Sequence, residues 1–130
     1  MKTPDSEKLT LNLGFVDLGR IDLLVRDGFY SNRSDFIRTA IRNQLATHSD
    51  IASKATTRLA LELGLRTFTR QDLEAVVAAG EQLDIRVLGL AVIDSDVSPE
   101  LARQAIASLT ILGALHASPE IKAALADRLT

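Results

Sequence analysis

Residues 7–13 read Glu-Lys-Leu-Thr-Leu-Asn-Leu, a strict alternation of polar and apolar side chains. Successive side chains of a β-strand point to opposite faces, so this segment predicts a strand with its leucines on one face. Up to residue 48, only two helical patterns follow it. A single strand has an unpaired edge and must find a partner. This one feature restricts the folds open to the first part of the chain.

The simplest partner is the same strand of a second copy, related by a two-fold axis. Two copies form an antiparallel ribbon whose inner face carries six leucines, because each copy contributes Leu9, Leu11 and Leu13. Four helices, two from each copy, then cover that face. The other face displays two copies of Lys8, Thr10 and Asn12.

The two helical patterns predict the remainder of this dimer. The first runs from about Val16 to Asp27 and ends at Gly28, a residue suited to a left-handed stop. The second follows the capping residues of segment 31–35 and continues to about His48. The residues predicted to form the dimer core are Leu9, Leu11, Leu13, Ile21, Val25, Phe36, Ile37 and Ile41.

Residues 5–48 resemble the ribbon-helix-helix repressors, also called the CopG or Arc/MetJ family. The resemblance rests on the strand of residues 8–13, on Gly28 between the helices, and on segment 32–38, Asn-Arg-Ser-Asp-Phe-Ile-Arg. That segment is similar to the family's Asn-Arg-Ser-Glu-x-Ile-Arg signature, with Asp in place of Glu. In the family the ribbon lies in the DNA major groove, and the start of the second helix contacts phosphates.

The resemblance therefore implies base-reading roles for Lys8, Thr10 and Asn12, and phosphate-binding roles for the residues that open the second helix. These are Asn32, Arg33 and Ser34. The chemistry agrees, because Lys can donate to guanine, Asn can pair with adenine, and the Thr methyl suits thymine. A helix N-terminus offers free N–H groups to an anion. Two acidic residues that flank the strand, Asp5 and Glu7, would repel phosphate if they pointed toward it.

Structural roles compete with these assignments. A strand face of Lys, Thr and Asn can simply be solvated, and Asn32 and Ser34 can serve as helix caps. Arg33 and Arg38 can form ion pairs with Asp35 or Asp22, and for Arg38 this interpretation is favoured.

The remaining residues, 49–130, predict a helix-rich second region. A helix is expected from Ser49 to about Leu65. The pairs Leu63-Gly64, Leu88-Gly89 and Leu112-Gly113 lie 25 and 24 residues apart, and each is followed by a turn-rich stretch and a helical pattern. This spacing suggests a strand-helix repeat, although three Leu-Gly pairs can also arise by chance in a Leu-rich chain.

Helices are expected at Asp72 to Gln82, from Pro99 to about Leu109, and from Pro119 to about Arg128, the last two each after a Ser-Pro-Glu cap. Strands are expected at Ile85 to Ile93 and at Leu109 to Leu115. Their near-continuous apolar character predicts burial on both faces. An end repeat would expose its apolar face without a partner, so this region is also expected to associate.

The predicted fold class is α+β. Residues 1–48 form the ribbon-helix-helix DNA-binding and dimerisation domain, and residues 49–130 form a helix-rich, repeat-like domain for oligomerisation or sensing. A chain without cysteine fits a reducing cytoplasmic setting. Its net charge of −2 argues against indiscriminate binding to nucleic acid.

Other functional classes lack a signal in this sequence. No Gly-rich phosphate loop, nucleophile elbow or metalloprotease motif occurs, so no enzyme is predicted. Two histidines and no cysteine make a metal site poorly supported, and no cofactor is expected. No segment has the length and apolarity of a membrane span.

The sequence thus predicts a cytoplasmic, sequence-specific transcriptional regulator, most simply a repressor. It binds double-stranded DNA as a homodimer, or as a tetramer or larger assembly on DNA. The first alternative is an antitoxin that wraps a toxin with residues 49–130. The second is a DNA-binding scaffold whose C-terminal region polymerises. An unknown effector of that region stays open as well.

Overall fold

The computed structural model describes residues 6–130, which divide into two compact units, residues 6–53 and residues 54–130. The domain boundary predicted after residue 48 lies at the end of a helix and stays a prediction. The order of elements is α1 (Phe15–Arg26), α2 (Arg33–Thr47), α3 (Ser49–Arg58), β1 (Glu62–Phe68), α4 (Arg70–Ala78), β2 (Leu83–Ile93), α5 (Pro99–Ala105), β3 (Ile106–His116), α6 (Pro119–Leu125) and a 3-10 turn (Ala126–Arg128).

In the first unit, α1 ends as its sequence predicts. The N–H of Gly28 donates to the carbonyl of Val25 at 3.1 Å, and the N–H of Phe29 donates to that of Leu24 at 3.0 Å. These two hydrogen bonds form together when Gly28 adopts the left-handed backbone conformation, and its φ is 86°. The tight stop allows α2 to begin within a few residues.

In the second unit, β1, β2 and β3 form a parallel sheet in that order. The three Leu-Gly pairs lie in register across it, with Leu63 beside Leu88 and Leu88 beside Leu112. The glycines form a second row next to the leucines. We call this second row, Gly64, Gly89 and Gly113, the glycine ladder.

The glycine ladder brings the strand backbones close together. All three glycines have φ between 111° and 140°, where side chains with a Cβ are rarely found. A Cβ at Gly89 would overlap the Gly64 carbonyl oxygen, and one at Gly113 would overlap that of Gly89. Glycine is therefore required at the second and third positions by space as well as by conformation.

The core of this unit lies between the sheet and α4, α5 and α6, which cover one face of it. Its fully buried side chains come from all three helices and from two strands: Leu73, Ala102, Ala105, Ile121, Leu125, Val87, Ile106 and Leu109. Along β2, Ile85, Val87, Ala91 and Ile93 are buried, and the residues between them are exposed or half-buried. The prediction that these strands are buried on both faces is therefore wrong within a single chain.

Four predicted helix bounds also need correction. The helix expected to reach Leu65 ends at Arg58, and Leu63 and Leu65 belong to β1. The chain turns at Ala60, which has a φ of 53°, before the strand begins. Pairing with β2 determines the structure of this segment, because the apolar spacing alone suits a helix.

The other three helices are each shorter than predicted. Helix α4 ends at Ala78 instead of Gln82, α5 at Ala105 instead of Leu109, and α6 at Leu125 instead of Arg128. In α5 the reason is visible in the backbone, since Ile106 has extended angles and already starts β3. Strand β3 accordingly begins three residues before its predicted start at Leu109.

The two Ser-Pro-Glu segments cap helices as predicted. The Ser98 hydroxyl accepts from the N–H of Leu101 at 3.1 Å, and the Ser118 hydroxyl accepts from that of Ile121 at 3.2 Å. In both helices proline occupies the first turn, where its missing N–H costs nothing.

Ser98→Ala is expected to lower the free energy of unfolding by about 1 kcal/mol, because the first turn of α5 loses its acceptor. Urea denaturation followed by circular dichroism measures the loss. Ser98→Asp is the control, since aspartate caps helices as well as serine does. Equal losses for both variants would show that a cap acceptor at this position is not what stabilises α5.

Candidate nucleic-acid interface

The predicted base-reading segment lies before α1, and residues 6–14 have no regular secondary structure in the single chain. Lys8, Thr10 and Asn12 are all exposed. So are the leucines between them, with exposed fractions of 85% for Leu9 and 63% for Leu11. A strand is defined by its hydrogen bonds to a neighbour, so a single copy cannot display the predicted ribbon. Of the two acidic residues that flank the strand, Glu7 is exposed and Asp5 lies outside the described residues.

The start of α2 is held by two side chains that bond to the backbone. The Asn32 side-chain oxygen accepts from the N–H of Asp35 at 2.8 Å. The Asp35 carboxylate in turn accepts from the N–H of Ser31 at 2.9 Å. Asn32 therefore caps α2, which is the structural role that the sequence indicated for it. A capping role does not compete with phosphate binding, because the cap leaves other N–H groups of the first turn available.

Those N–H groups belong to Arg33 and Ser34. They precede the first intrahelical hydrogen bond, which the N–H of Phe36 donates to the Asn32 carbonyl at 3.2 Å. The side chains of Asn32, Arg33 and Ser34 are all exposed. The first turn of α2 thus presents backbone donors, a hydroxyl and a guanidinium to solvent. This combination suits a phosphate group.

Arg33 also connects the two helices of this unit. Its Nε donates to Oδ1 of Asp22 on α1 at 2.7 Å, and its Nη2 donates to Oδ2 at 2.8 Å. The Arg33 guanidinium holds the pKa of the Asp22 carboxyl below its usual range, chiefly through this hydrogen bond. The pair therefore persists at neutral pH and is lost only when the pH falls below the ordinary value of 3.8 and through the lowered pKa of Asp22. Asp22 consequently offsets much of the charge that Arg33 would offer to DNA.

The residues predicted to form the dimer core have different environments in the single chain. Ile21 is buried, with 6% of its surface exposed, and Val25, Phe36 and Ile37 are half-buried. Ile41 is 51% exposed. The Phe36 ring meets the edge of Tyr30, with 5.0 Å between the ring centroids. The side of α1 and α2 that carries Ile21, Val25, Phe36 and Ile37 is thus already packed within one chain. Ile41 and the leucines of residues 9–13 are exposed to solvent.

The sequence-based list of core residues omitted several apolar side chains that this unit exposes. They are Phe15, Val16, Leu23, Phe29 and Leu45, with exposed fractions between 55% and 92%. Phe15 and Val16 precede the regular apolar spacing of α1, so periodicity alone did not include them. Together with the leucines of residues 9–13, they give a unit of this size far more exposed apolar surface than a monomer normally has.

One family model matches the chain, over residues 4–122, and its description is the ribbon-helix-helix transcriptional regulator family. The chain belongs to this family. Family membership indicates DNA-binding transcriptional regulation, and such regulators are typically not enzymes. No curated protein and no solved structure matched the chain.

The range of the match matters for the second unit. The resemblance seen in the sequence stopped at residue 48, but the ribbon-helix-helix family model extends into α6. The residues that form the parallel sheet, α4 and α5, and the first residues of α6 therefore lie within the matched range.

Within residues 6–130, no three His, Cys, Asp or Glu side chains come together in a way that could hold a metal ion. No helix in the same range has the length and apolarity needed to cross a membrane.

Proposed function

We propose that this protein is a dimeric, sequence-specific transcriptional repressor that reads operator DNA with a ribbon made from residues 7–13 of two copies. One observation carries the proposal. In the described chain, residues 6–14 pair with no strand, yet they alternate exposed leucines with exposed Lys8, Thr10 and Asn12. A second copy supplies the missing partner and covers the leucines at the same time.

In this arrangement the leucines of both copies face their helices, and the polar side chains of both copies face away from them. The major groove of B-DNA is wide enough for a two-stranded ribbon, and its base edges carry a distinct donor and acceptor pattern for each pair. Lys8 and Asn12 supply donors and an acceptor for guanine and adenine, and Thr10 supplies a methyl group for thymine. A ribbon that fills the groove of a promoter excludes other proteins, which favours repression over activation.

The first turn of α2 is assigned to phosphate contacts. Asn32, Arg33 and Ser34 are exposed there, and the N–H groups of the last two have no intrahelical acceptor. Phosphate contacts orient a protein on DNA without reading its sequence. The two assignments therefore predict different effects on specific and non-specific binding.

Arg33→Ala is expected to weaken binding to all DNA sequences alike and to lower the salt dependence by about one phosphate contact per copy. Titrations at several salt concentrations, with operator and with unrelated DNA, measure both effects. Asp22→Asn is the matched variant, since it keeps Arg33 but removes the carboxylate that holds it. This variant should strengthen binding to every sequence. A change of base preference in Arg33→Ala would contradict the assignment.

The proposal as a whole is tested by selecting bound fragments from a random DNA library with the full chain. The expected result is an enriched inverted repeat, because a two-fold dimer reads two equivalent half-sites. A library without enrichment, or a single asymmetric half-site, would overturn it. Such a regulator acts where the DNA is, in the cytoplasm, and the absence of cysteine fits that reducing setting.

The antitoxin alternative has less support. Antitoxin tails of this kind are expected to be polar and to fold on binding their partner. Residues 62–125 instead form a sheet and helices around a core of fully buried leucine and isoleucine side chains. We therefore assign this unit to association or sensing within the regulator.

A further inference from the structure

The parallel sheet has two faces with different surroundings. Helices α4, α5 and α6 cover one of them. Side chains of the other face take no part in the buried core, and we call this set the outer face: Leu63, Leu65, Leu88, Leu90, Leu112 and Ala114. The exposed fractions of Leu63, Leu65 and Leu112 are 74%, 59% and 47%.

The two sides of strand β1 carry different kinds of side chain. On the side opposite the outer face, the edge strand carries an exposed ion pair of Glu62 and Arg66, which lie on either side of Gly64. The Arg66 guanidinium also lies 5.3 Å from the centre of the Phe68 ring. Charges on that side suit contact with water and discourage another strand from adding at the edge. The same strand places leucines, not charges, on the outer face.

We propose that the outer face packs against the outer face of a second copy of this chain, with a two-fold axis between the two sheets. The leucine row of residues 63, 88 and 112 lies across the strands, so strands that run antiparallel across the axis bring this row onto itself. Sheets packed in this way lie about 10 Å apart and interdigitate their side chains. Polar residues then form the rim, with Asp84, Arg86, Ser108 and Thr110 at one end of the face and Thr67 and His116 at the other.

The size of the face identifies its occupant. Three strands about 4.8 Å apart, with side-chain width included, give an outer face on the order of 300 Å². A free partner needs roughly 800 Å² per side for a stable complex. A copy that is already held by the ribbon needs a far smaller contact area, because tethering gives it an effective concentration on the order of 1 mM. This step rests on the proposed ribbon dimer, and the occupant is the chain to which that ribbon is paired.

Thiol cross-linking of the full chain tests the contact, since the sequence contains no cysteine. Leu112→Cys places one thiol on the leucine row of each copy. A bismaleimide that spans about 10 Å, the separation of packed sheets, should join two copies in high yield. Leu129→Cys is the control: it is also half exposed, at 50%, but lies next to the 3-10 turn beyond β3. Its yield should be low. Equal yields, or no covalent dimer from Leu112→Cys, would overturn the proposal and leave the face open to a different protein.

Sedimentation of Leu112→Arg across a concentration series gives a second measurement. Two buried arginines replace two leucines at the interface, so the dissociation constant of the dimer should rise at least about tenfold. Leu129→Arg should leave it unchanged. An unchanged dissociation constant for Leu112→Arg overturns the proposal.

The two proposals fail in different ways. If the ribbon does not read DNA, Asn12→Ala will leave operator selectivity unchanged, while Leu112→Cys still yields the covalent dimer. If the outer faces do not meet, the cross-link is lost while Asn12→Ala still lowers selectivity.

Discussion

Gly89→Ala is expected to destabilise the second unit by on the order of 4 kcal/mol. The new methyl group would overlap the Gly64 carbonyl oxygen, and the residue would have to hold a φ of 140°. Strain of this backbone kind and overpacking each cost about 1 to 3 kcal/mol. Strand β2 cannot move aside easily, because it is hydrogen-bonded to β1 on one side and to β3 on the other. Urea denaturation of the full chain, followed by circular dichroism, measures the loss.

Gly64→Ala separates the two costs. Gly64 also has a positive φ, of 111°, but a Cβ there meets nothing within 4 Å. This variant should therefore lose only the conformational part, about 1 to 3 kcal/mol. Equal losses for Gly64→Ala and Gly89→Ala would show that the close approach of the strands contributes nothing. Stability close to wild type in both variants would contradict the glycine ladder.

Asn12→Ala is expected to weaken binding to the selected operator by about 1 to 3 kcal/mol and to leave binding to unrelated DNA unchanged. The loss arises because a side-chain amide can form two hydrogen bonds with an adenine edge and a methyl group can form none. Competition titrations with the selected operator and with variants at single base pairs measure affinity and preference together. Preference should relax at one position in each half-site.

Asn43→Ala is the matched control for this prediction. Asn43 is also an exposed asparagine of the first unit, but it lies in the second half of α2. Its replacement should change neither affinity. If Asn12→Ala left operator and unrelated binding both at wild-type levels, Asn12 would not read bases and the ribbon assignment would be wrong.

The first unit could be predicted closely because its signals are local. Gly28 ends α1 through the conformation of a single residue, and Asn32 caps α2 through a side chain three positions from its donor. Both effects operate over a few residues, so the sequence contains all the information they need. The alternation of residues 7–13 predicts a strand in the same way, and its pairing stays a prediction because the partner belongs to another copy.

The helix bounds in the second unit were harder to predict because strand pairing competes with helical spacing. Leu59 and Leu63 are four residues apart, which suits a helix, yet Leu63 lies in β1 beside Leu88. Ile106 leaves α5 for β3 for the same reason, since its register partner is Leu83. Neither pattern carries information about a strand 20 or more residues away. The tertiary structure therefore determined these bounds.

The candidate DNA-binding residues depend on both kinds of information. The alternation of Lys8, Thr10 and Asn12 with leucines was visible in the sequence, whereas the partner of Arg33 was not decided there. From the sequence, Arg33 could contact a phosphate or form an ion pair. In the folded chain it donates two hydrogen bonds to the Asp22 carboxylate. That choice follows from the angle between α1 and α2, which brings residues 11 positions apart into contact.

The family, the two helices with their caps and the repeated Leu-Gly pairs could be predicted from the sequence, because each of them depends on residues close together in the chain. The folded chain was needed to show that those pairs lie side by side in a parallel sheet, that α4, α5 and α6 all cover the same face, and that leucines remain on the other face. The reason is physical: propensity and periodicity act over a few residues, whereas strand register and the side on which a helix packs are set by contacts between distant segments.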